Sequence, residues 1–155
     1  MFILSSFIAF QFVINPIVDS KIERKEVLIA TTTAPIILST EEQEIQTLPE
    51  TQWSTTTLAY LITKTFPDAP VMLCIAQAES QLRQYQDGEV LRGSYNPQDR
   101  GLYQINEHYH LANSKSLGYD IYTVKGNIAY ARYLYDRNGT RDWNWSRDKW
   151  EDCLR

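Results

Sequence analysis

The chain of 155 residues lacks an excess of positive charge, and its net charge is −4. From residue 57 onward, twelve Lys and Arg balance twelve Asp and Glu. Residues 26 to 50 hold five Glu and neither Lys nor Arg, so the acidity belongs to the N-terminal third. Because nucleic-acid binding needs clustered Lys and Arg, we expect no nucleic-acid partner.

The sequence also lacks a recognisable set of metal ligands. Its two histidines, His108 and His110, are separated by one Tyr and follow Glu107. This spacing fits no strong zinc pattern, and the sequence offers no third ligand nearby. We expect a solvated or locally hydrogen-bonded histidine pair, and we predict neither a metal nor a cofactor.

Residues 2 to 18 contain no charged side chain and are mostly apolar. At 17 residues the run is at the short limit for a membrane span and within the length of a signal-peptide core. No Lys or Arg precedes it, and no clear small-x-small cleavage site follows. We interpret residues 1 to 18 as a signal peptide or membrane anchor rather than a core segment. This predicts an exported protein of the cell envelope or extracellular space, tethered to the membrane if residues 2 to 18 are retained.

Residues 19 to 55 lack helical periodicity and are rich in Thr and Glu. Short apolar runs at residues 27 to 30 and 36 to 38 are too small to form a domain. The composition predicts a flexible acidic, Thr-rich linker that reaches from a membrane toward the cell wall.

Residues 56 to 155 have a length typical of one domain. Apolar residues at helical spacing predict helices over residues 56 to 65 and 124 to 138, the second ending at Asn138-Gly139. Residues 83 to 100 are polar and contain Gly88, Gly93 and Pro97, which predicts a long loop or a small β-hairpin. The fold class expected is α+β, mainly α.

Glu79 lies near the end of an apolar segment that reads as a helix. Asp68 is a suitable N-cap and Pro70 suits the first turn. The buried stripe predicted at helical spacing comprises Val71, Ile75, Ala78 and Leu82. A carboxyl at the edge of such a stripe resists ionisation, so its pKa rises. Glu79 is therefore a candidate general acid near neutral pH.

Asp99 follows about twenty residues later in a polar stretch, with Arg100 beside it and a turn predicted at Gly101. A solvated Asp beside an Arg is expected to stay ionised. Two carboxyls whose surroundings move their pKa values apart provide an acid and a nucleophile or stabiliser. Cleavage of a glycosidic bond needs this combination.

Two motifs together resemble the lysozyme-like superfamily, which includes chicken-type lysozymes and bacterial soluble lytic transglycosylase domains. They are Ala78-Glu79-Ser80 and Gly101-Leu102-Tyr103-Gln104-Ile105-Asn106. The resemblance covers residues 57 to 155 and implies a lysozyme-like catalytic domain with a small β-lobe along the substrate cleft. It implies that Glu79 is the catalytic acid and that Asp99 matches the second carboxylate of lysozymes.

Four further residues are candidates for substrate binding. Gln104 and Asn106 carry amides suited to sugar hydroxyl and acetamido groups, although both amides also suit local backbone groups. Tyr103 is a candidate for stacking on a sugar ring, with core packing as the equal alternative. Tyr133 and Leu134, after Asn127 and Ile128, resemble a transglycosylase motif whose Tyr lies near the catalytic Glu.

The two cysteines, Cys74 and Cys153, allow two interpretations from the sequence alone. They are core thiols in a reducing compartment, or one disulfide in an exported protein. The resemblance favours the disulfide. Chicken-type lysozymes join a Cys five residues before the catalytic Glu to a Cys after a Trp-rich C-terminal segment, and Cys74 and Cys153 match these positions.

The leading functional hypothesis is a monomeric muramidase acting on peptidoglycan glycan strands. It would cleave the β-1,4 bond between N-acetylmuramic acid and N-acetylglucosamine. A lytic transglycosylase that uses Glu79 alone and forms 1,6-anhydro products is the close alternative, and chitin oligomers are another candidate substrate. A non-catalytic module that binds cell-wall glycan is a third hypothesis.

Overall fold

The computed structural model describes residues 38 to 155. Residues 1 to 37, which include the predicted signal peptide or anchor and the first half of the predicted linker, lie outside the described residues. No helix between residues 38 and 155 is both long and apolar enough to cross a membrane. The described part is mainly helical with two small antiparallel hairpins, which confirms the α+β, mainly α class.

Six α-helices and four short strands make up this part of the chain. The helices are α1 (Thr40–Thr47), α2 (Thr55–Thr65), α3 (Val71–Ser80), α4 (Glu107–Ser116), α5 (Val124–Asn138) and α6 (Arg147–Trp150). The strands are β1 (Tyr85–Gln86), β2 (Glu89–Val90), β3 (Asp99–Arg100) and β4 (Ile105–Asn106). Two 3₁₀ segments, Glu50–Gln52 and Arg141–Ser146, complete the order.

Helix α1 lies inside the range predicted to be a flexible linker. Ser39 and Glu42 form a capping box, in which the Ser39 hydroxyl accepts from the Glu42 amide at 3.2 Å and the Glu42 carboxylate accepts from the Ser39 amide at 3.1 Å. Glu42 also accepts from the Tyr60 hydroxyl of α2 at 2.6 Å. The linker prediction is therefore wrong here, because these residues form a capped helix whose Glu42 is hydrogen-bonded to α2.

The segment after α1 is also anchored to the domain. Trp53 is buried, and its indole donates to the Leu48 carbonyl at 3.0 Å. Glu50 accepts from the Val124 amide at 2.7 Å, at the first residue of α5. A carboxylate at a helix N-terminus stabilises the exposed amides of its first turn. The linker prediction fails for residues 39 to 53.

Helices α2 and α5 match the segments predicted from apolar spacing. Helix α5 has the bounds predicted, and α2 begins one residue earlier than expected. Ser54 and Thr123 cap their N-termini through side-chain oxygens. Helix α2 packs against both α3 and α5, and the core also takes residues from the Leu102–Ile105 region and the C-terminal tryptophans.

Helix α3 has a different start from the one predicted. Pro70 occupies the N-cap position without a side-chain cap, and the Asp68 carboxylate instead accepts from the Arg132 guanidinium of α5, at 2.5 and 3.1 Å. The helix ends because Gln81 and Leu82 adopt left-handed φ values of 57° and 58°. This abrupt end leaves Glu79 on the last turn.

Residues 83 to 100, predicted to be a long loop or a small β-hairpin, contain one complete hairpin and the first strand of a second. Strands β1 and β2 pair in one, and β3 and β4 pair in the other with Asp99 opposite Asn106. Gly101 opens the turn between β3 and β4 with a φ of 65°. A Cβ at this position would lie 2.2 Å from the Gln84 side-chain oxygen, so only glycine fits.

The buried side-chain amides of Asn127 and Gln84 hold that turn in place. Asn127 is fully buried, accepts from the Tyr103 amide at 3.0 Å and donates to the Arg100 and Ile121 carbonyls at 3.1 and 2.9 Å. Gln84 accepts from the Leu102 amide at 2.8 Å. Because these bonds reach both sides of the turn, they hold β3 against α5.

Cys74 and Cys153 form a disulfide with a Cα–Cα distance of 6.0 Å. The bond joins the middle of α3 to the chain just after α6. The predicted pairing is therefore confirmed, and the C-terminal segment is covalently held to the helix that carries Glu79.

Candidate active site

One cleft of about 360 Å³ brings the two predicted carboxyls together. Glu79 lines it from α3, and Trp143 and Trp145 line it from the C-terminal 3₁₀ segment. The opposite wall comes from the β region and includes Asp99. The two carboxyls that the sequence singled out therefore lie in the same cleft.

Glu79 is half-buried at the end of α3 and has a specific hydrogen-bond partner. The Ser146 hydroxyl donates to its Oε1 atom. Burial raises the pKa of Glu79 above its ordinary value. The Ser146 hydrogen bond and the Lys149 charge act in the opposite direction, while the negative charge of Asp99 raises this pKa further. The raised pKa agrees with the direction expected for a carboxyl at the edge of an apolar stripe.

Asp99 is held by amides rather than by its neighbouring arginine. Its Oδ1 atom accepts from Asn106 Nδ2 at 2.7 Å and from Asn96 Nδ2 at 3.2 Å. Partial burial raises the pKa of Asp99, and the Asn106 hydrogen bond and the Arg100 charge oppose that rise. The prediction of a solvated Asp99 is wrong, because the side chain is half-buried.

The Arg100 guanidinium does not pair with the carboxylate of Asp99, its neighbour in the sequence. The Arg100 side chain is buried and pairs with Glu107, with Nε at 2.8 Å from the carboxylate. Tyr122 donates to the same carboxylate at 2.8 Å. The Arg100–Glu107 pair lies at the base of the β3–β4 hairpin. Among the effects that lower the pKa of Asp99, the Asn106 hydrogen bond is larger than the Arg100 charge.

Gln104 and Asn106 line the cleft, but both amides also have partners within the protein. Gln104 donates to the Gly101 carbonyl at 2.8 Å. Asn106 donates to Asp99 and accepts from the His108 amide at 3.1 Å as the N-cap of α4. Local hydrogen bonding, the alternative noted from sequence, is thus present, and direct sugar binding by these two residues stays a prediction.

Tyr103 contributes to the cleft lining, but its side chain is buried in the core. It is fully buried, contacts Phe66 and Trp143 at ring-centroid distances of 5.9 and 5.8 Å, and donates to the Met72 carbonyl at 3.2 Å. The prediction that it stacks on a sugar is wrong, and the packing alternative is correct.

Tyr133 lies on α5 outside the cleft lining. Its ring stacks on Tyr130 with centroids 5.5 Å apart, and the Arg137 guanidinium lies 5.4 Å from its centroid. The neighbouring Leu134 lines the cleft instead. Successive helical side chains point about 100° apart, so a one-residue difference changes the face. Tyr133, which the resemblance placed near the catalytic Glu, is therefore not part of the lining that contains Glu79.

Two aromatic residues that the sequence analysis did not single out lie at the cleft. Tyr95 is 86% exposed and Trp145 is 87% exposed, and their ring centroids are 6.2 Å apart. They come from the loop between β2 and β3 and from the C-terminal 3₁₀ segment. The only sequence signal was the Trp-rich composition, which does not separate the exposed Trp145 from the buried Trp143.

His110 and Asp142 also line the cleft. His110 is half-buried, and its Nδ1 atom lies 3.1 Å from the Tyr130 hydroxyl. Burial lowers the pKa of His110, which favours the neutral imidazole, and the Asp142 charge opposes this effect. Between residues 38 and 155, no group of three His, Cys, Asp or Glu side chains is arranged to hold a metal ion.

Comparisons with known proteins add no relative. No protein-family model matches the chain, and neither a curated protein nor a solved structure matches it. Any assignment of function therefore depends on the cleft itself.

Proposed function

We propose that the protein is a peptidoglycan-cleaving glycosidase with a lysozyme-like domain. In this proposal the enzyme cleaves the β-1,4 linkage between N-acetylmuramic acid and N-acetylglucosamine. The single observation that carries the proposal is the pair of carboxyls in one cleft, where burial raises the pKa of Glu79 and amide donors hold Asp99.

The two carboxyls have distinct roles in the proposed reaction. Glu79 transfers its proton to the glycosidic oxygen as the bond between that oxygen and the sugar C1 breaks. Asp99 attacks or stabilises the positive charge that develops at C1. Water then adds its hydroxyl group to C1 and returns a proton to Glu79, which acts as the base in this second step.

Differences between the two settings support these roles. Asp99 accepts two N–H donors on one oxygen, which favours its ionised form. Its negative charge in turn raises the pKa of Glu79. Ionisation of Asp99 therefore helps to retain the proton on Glu79, as a reaction with one acid and one anion requires.

The lining of the cleft supports a glycan substrate. Exposed aromatic rings such as Tyr95 and Trp145 offer flat apolar faces for sugar rings. The Asn96, Gln104 and Asn106 side chains bring amide groups to the same cleft. This combination suits an uncharged polysaccharide backbone with acetamido substituents.

One observation favours a lytic transglycosylase as the second candidate. The Asn106 and Asn96 bonds to Asp99 connect β4 and the β2–β3 loop to β3, so Asp99 has a structural role in the hairpin. In that reaction Glu79 acts without a second carboxylate, and the C6 hydroxyl of the substrate attacks C1 to close a 1,6-anhydro ring.

The function is tested by incubating the full-length protein with purified peptidoglycan and identifying the soluble products by mass spectrometry. Reducing ends indicate hydrolysis, and 1,6-anhydro ends indicate transglycosylation. Glu79→Gln should lower either activity about 10²- to 10⁴-fold, the usual contribution of a general acid–base group. Glu89→Gln, an exposed residue of β2 outside the cleft, is the matched control and should leave activity unchanged.

An Asp99 variant also distinguishes the two candidate functions, hydrolysis and transglycosylation. Asp99→Asn should abolish hydrolysis in a muramidase but spare much of the activity in a transglycosylase. The proposal fails if Glu79→Gln keeps full activity. It also fails if the wild-type protein binds wall fragments without turnover, the outcome expected of a non-catalytic glycan-binding module.

A further inference from the structure

Ser146 is a buried hydroxyl at the junction between the C-terminal 3₁₀ segment and α6, and it is only 6% exposed. Although it occupies the position before α6, its side chain makes no capping bond to that helix. Its Oγ atom instead contacts Glu79 Oε1, the Trp143 carbonyl at 3.1 Å and Trp150 Nε1 at 3.1 Å.

Ser146 has a single hydroxyl proton, so it cannot donate a full hydrogen bond to both of its acceptors at once. An indole N–H only donates, so Trp150 uses one lone pair of the Ser146 oxygen. A hydroxyl has one proton of its own, and Glu79 and the Trp143 carbonyl are its two acceptors. At any moment the Ser146 proton therefore lies toward one acceptor or the other.

We propose that Ser146 is the positioning residue for the Glu79 carboxyl, and that its hydroxyl proton moves between Glu79 Oε1 and the Trp143 carbonyl as Glu79 loses or gains its proton. A hydrogen bond to an ionised carboxylate is about twice as strong as one between neutral groups. The hydroxyl therefore donates to ionised Glu79. When Glu79 is protonated, the neutral carbonyl of Trp143 becomes the competitive acceptor.

The consequence for catalysis, which rests on the function proposed above, concerns the two oxygens of Glu79. When Glu79 is ionised, the Ser146 hydroxyl donates to Oε1, so Oε2 is the oxygen left free to take up a proton. In the second step the ionised Glu79 carboxylate accepts a hydrogen bond from the Ser146 hydroxyl, and this bond limits how basic the carboxylate becomes.

The segment that supplies Ser146 is tied to the helix that supplies Glu79. Trp150 also donates to the Trp143 carbonyl at 3.2 Å, and both tryptophans are buried. The disulfide from Cys153 then joins this segment to Cys74, five residues before Glu79. The distance between hydroxyl and carboxyl is thus set by packing and by a covalent link.

Other charged groups near Glu79 must be separated from the effect of Ser146. Asp99 from β3 and Lys149 from α6 influence the pKa of Glu79. His110 and Asp142 line the same cleft. The readout therefore has to report on the Ser146 contact itself rather than on the charge of the cleft.

The Trp150 indole N–H provides that readout in a two-dimensional NMR titration of the full-length protein. Because Trp150 donates to Ser146, its resonance should shift with the same midpoint as the Glu79 carboxyl carbon. The Trp53 indole, which donates to the Leu48 carbonyl, is an internal control and should not follow that titration. Glu79→Gln should remove the Trp150 response without altering the buried serine.

Ser146→Ala should abolish the Trp150 response and raise the pKa of Glu79, because the variant removes a donor to the carboxylate. Ser146→Thr, which keeps the hydroxyl, should restore both properties. Ser116→Ala, at an exposed serine that donates to the Asn113 carbonyl, is the matched control and should change neither. In Asp99→Asn the Trp150 response should persist with a lower midpoint.

The proposal is overturned if the Trp150 indole ignores the Glu79 titration, or if Ser146→Ala leaves the Glu79 midpoint unchanged. These measurements need no substrate, so they remain decisive if the protein does not cleave peptidoglycan. If it does, Ser146→Ala should move the alkaline limb of the pH–activity profile upward, since Glu79 then keeps its proton to higher pH.

Discussion

The two walls of the cleft hold the same kind of group by different means. The helical wall, made by α3 and the C-terminal segment, surrounds Glu79 with apolar surface and gives it one hydroxyl donor, Ser146. The β wall gives Asp99 two amide donors and less burial. Burial is the largest cause of the raised pKa at both carboxyls, and the hydrogen bond that opposes it comes from a hydroxyl at Glu79 and from an amide at Asp99.

The walls also differ in what keeps them in place. The helical wall depends on a disulfide and on buried tryptophans. The β wall has strands of only two residues each and depends on the buried amides of Asn127 and Gln84. Short strands have few ladder hydrogen bonds, so side-chain bonds replace them. Each wall can therefore be weakened separately.

The largest expected effect comes from breaking the link in the helical wall. The disulfide spans a sequence separation of 79 residues, so replacing both Cys74 and Cys153 by Ser should cost about 4 kcal/mol of unfolding free energy. Chemical denaturation of the oxidised wild type and the double variant measures this cost. A loss below about 1 kcal/mol would show that packing alone holds the C-terminal segment on α3.

A smaller loss is expected from the β wall. Asn127→Ala leaves the buried Tyr103 amide and two carbonyls without their partner, which should cost about 2–3 kcal/mol. Denaturation measures the loss, and carboxyl NMR of Asp99 should show its surroundings altered more than those of Glu79. Asn138→Ala, at an exposed residue, is the control and should be nearly neutral. Equal losses of unfolding free energy in Asn127→Ala and Asn138→Ala would contradict the role assigned to the buried Asn127 amide.

The smallest effect tests the protonation difference through stability. The folded-state pKa of Glu79 is raised, so its contribution to stability is complete in acid and is lost as the pH rises through the folded value. Glu79→Gln should therefore be more stable than wild type at neutral pH, on the order of 0.5–1 kcal/mol, and the gain should vanish in acid.

Asp99→Asn sharpens the comparison because Asp99 is less buried and has amide donors. Its stability gain at neutral pH should be smaller than that of Glu79→Gln, as measured by denaturation at two pH values. A Glu79→Gln variant that is less stable than wild type at neutral pH would show that the carboxylate is better solvated in the cleft than its burial indicates.

Local patterns were sufficient for much of the fold and part of the site. The apolar spacing of α2 and α5 predicted their bounds, because helical periodicity depends on neighbours three and four residues away. The apolar segment before Glu79 predicted the direction of its pKa shift for the same reason. Strong Gly and Pro signals also located the β region.

The failures share a physical cause. Helix α1 was missed because the Glu42 carboxylate bonds to the Ser39 amide and to Tyr60 of α2, contacts that polar composition does not reveal. Asp68 and Arg100 each had a plausible neighbour in sequence but pair with Arg132 and Glu107 instead. A charged side chain takes the partner that the fold brings closest, whatever lies beside it in the chain.

By itself the sequence determined helices α2 and α5 and the apolar setting of Glu79, since these depend on local spacing and on residue type. Tertiary structure alone decided that Tyr95 and Trp145 are exposed at the cleft while Tyr103 is buried. It also decided that Ser146 reaches Glu79 across 67 residues of chain. Those outcomes depend on how distant segments pack, because burial and hydrogen-bond partners are properties of the folded whole.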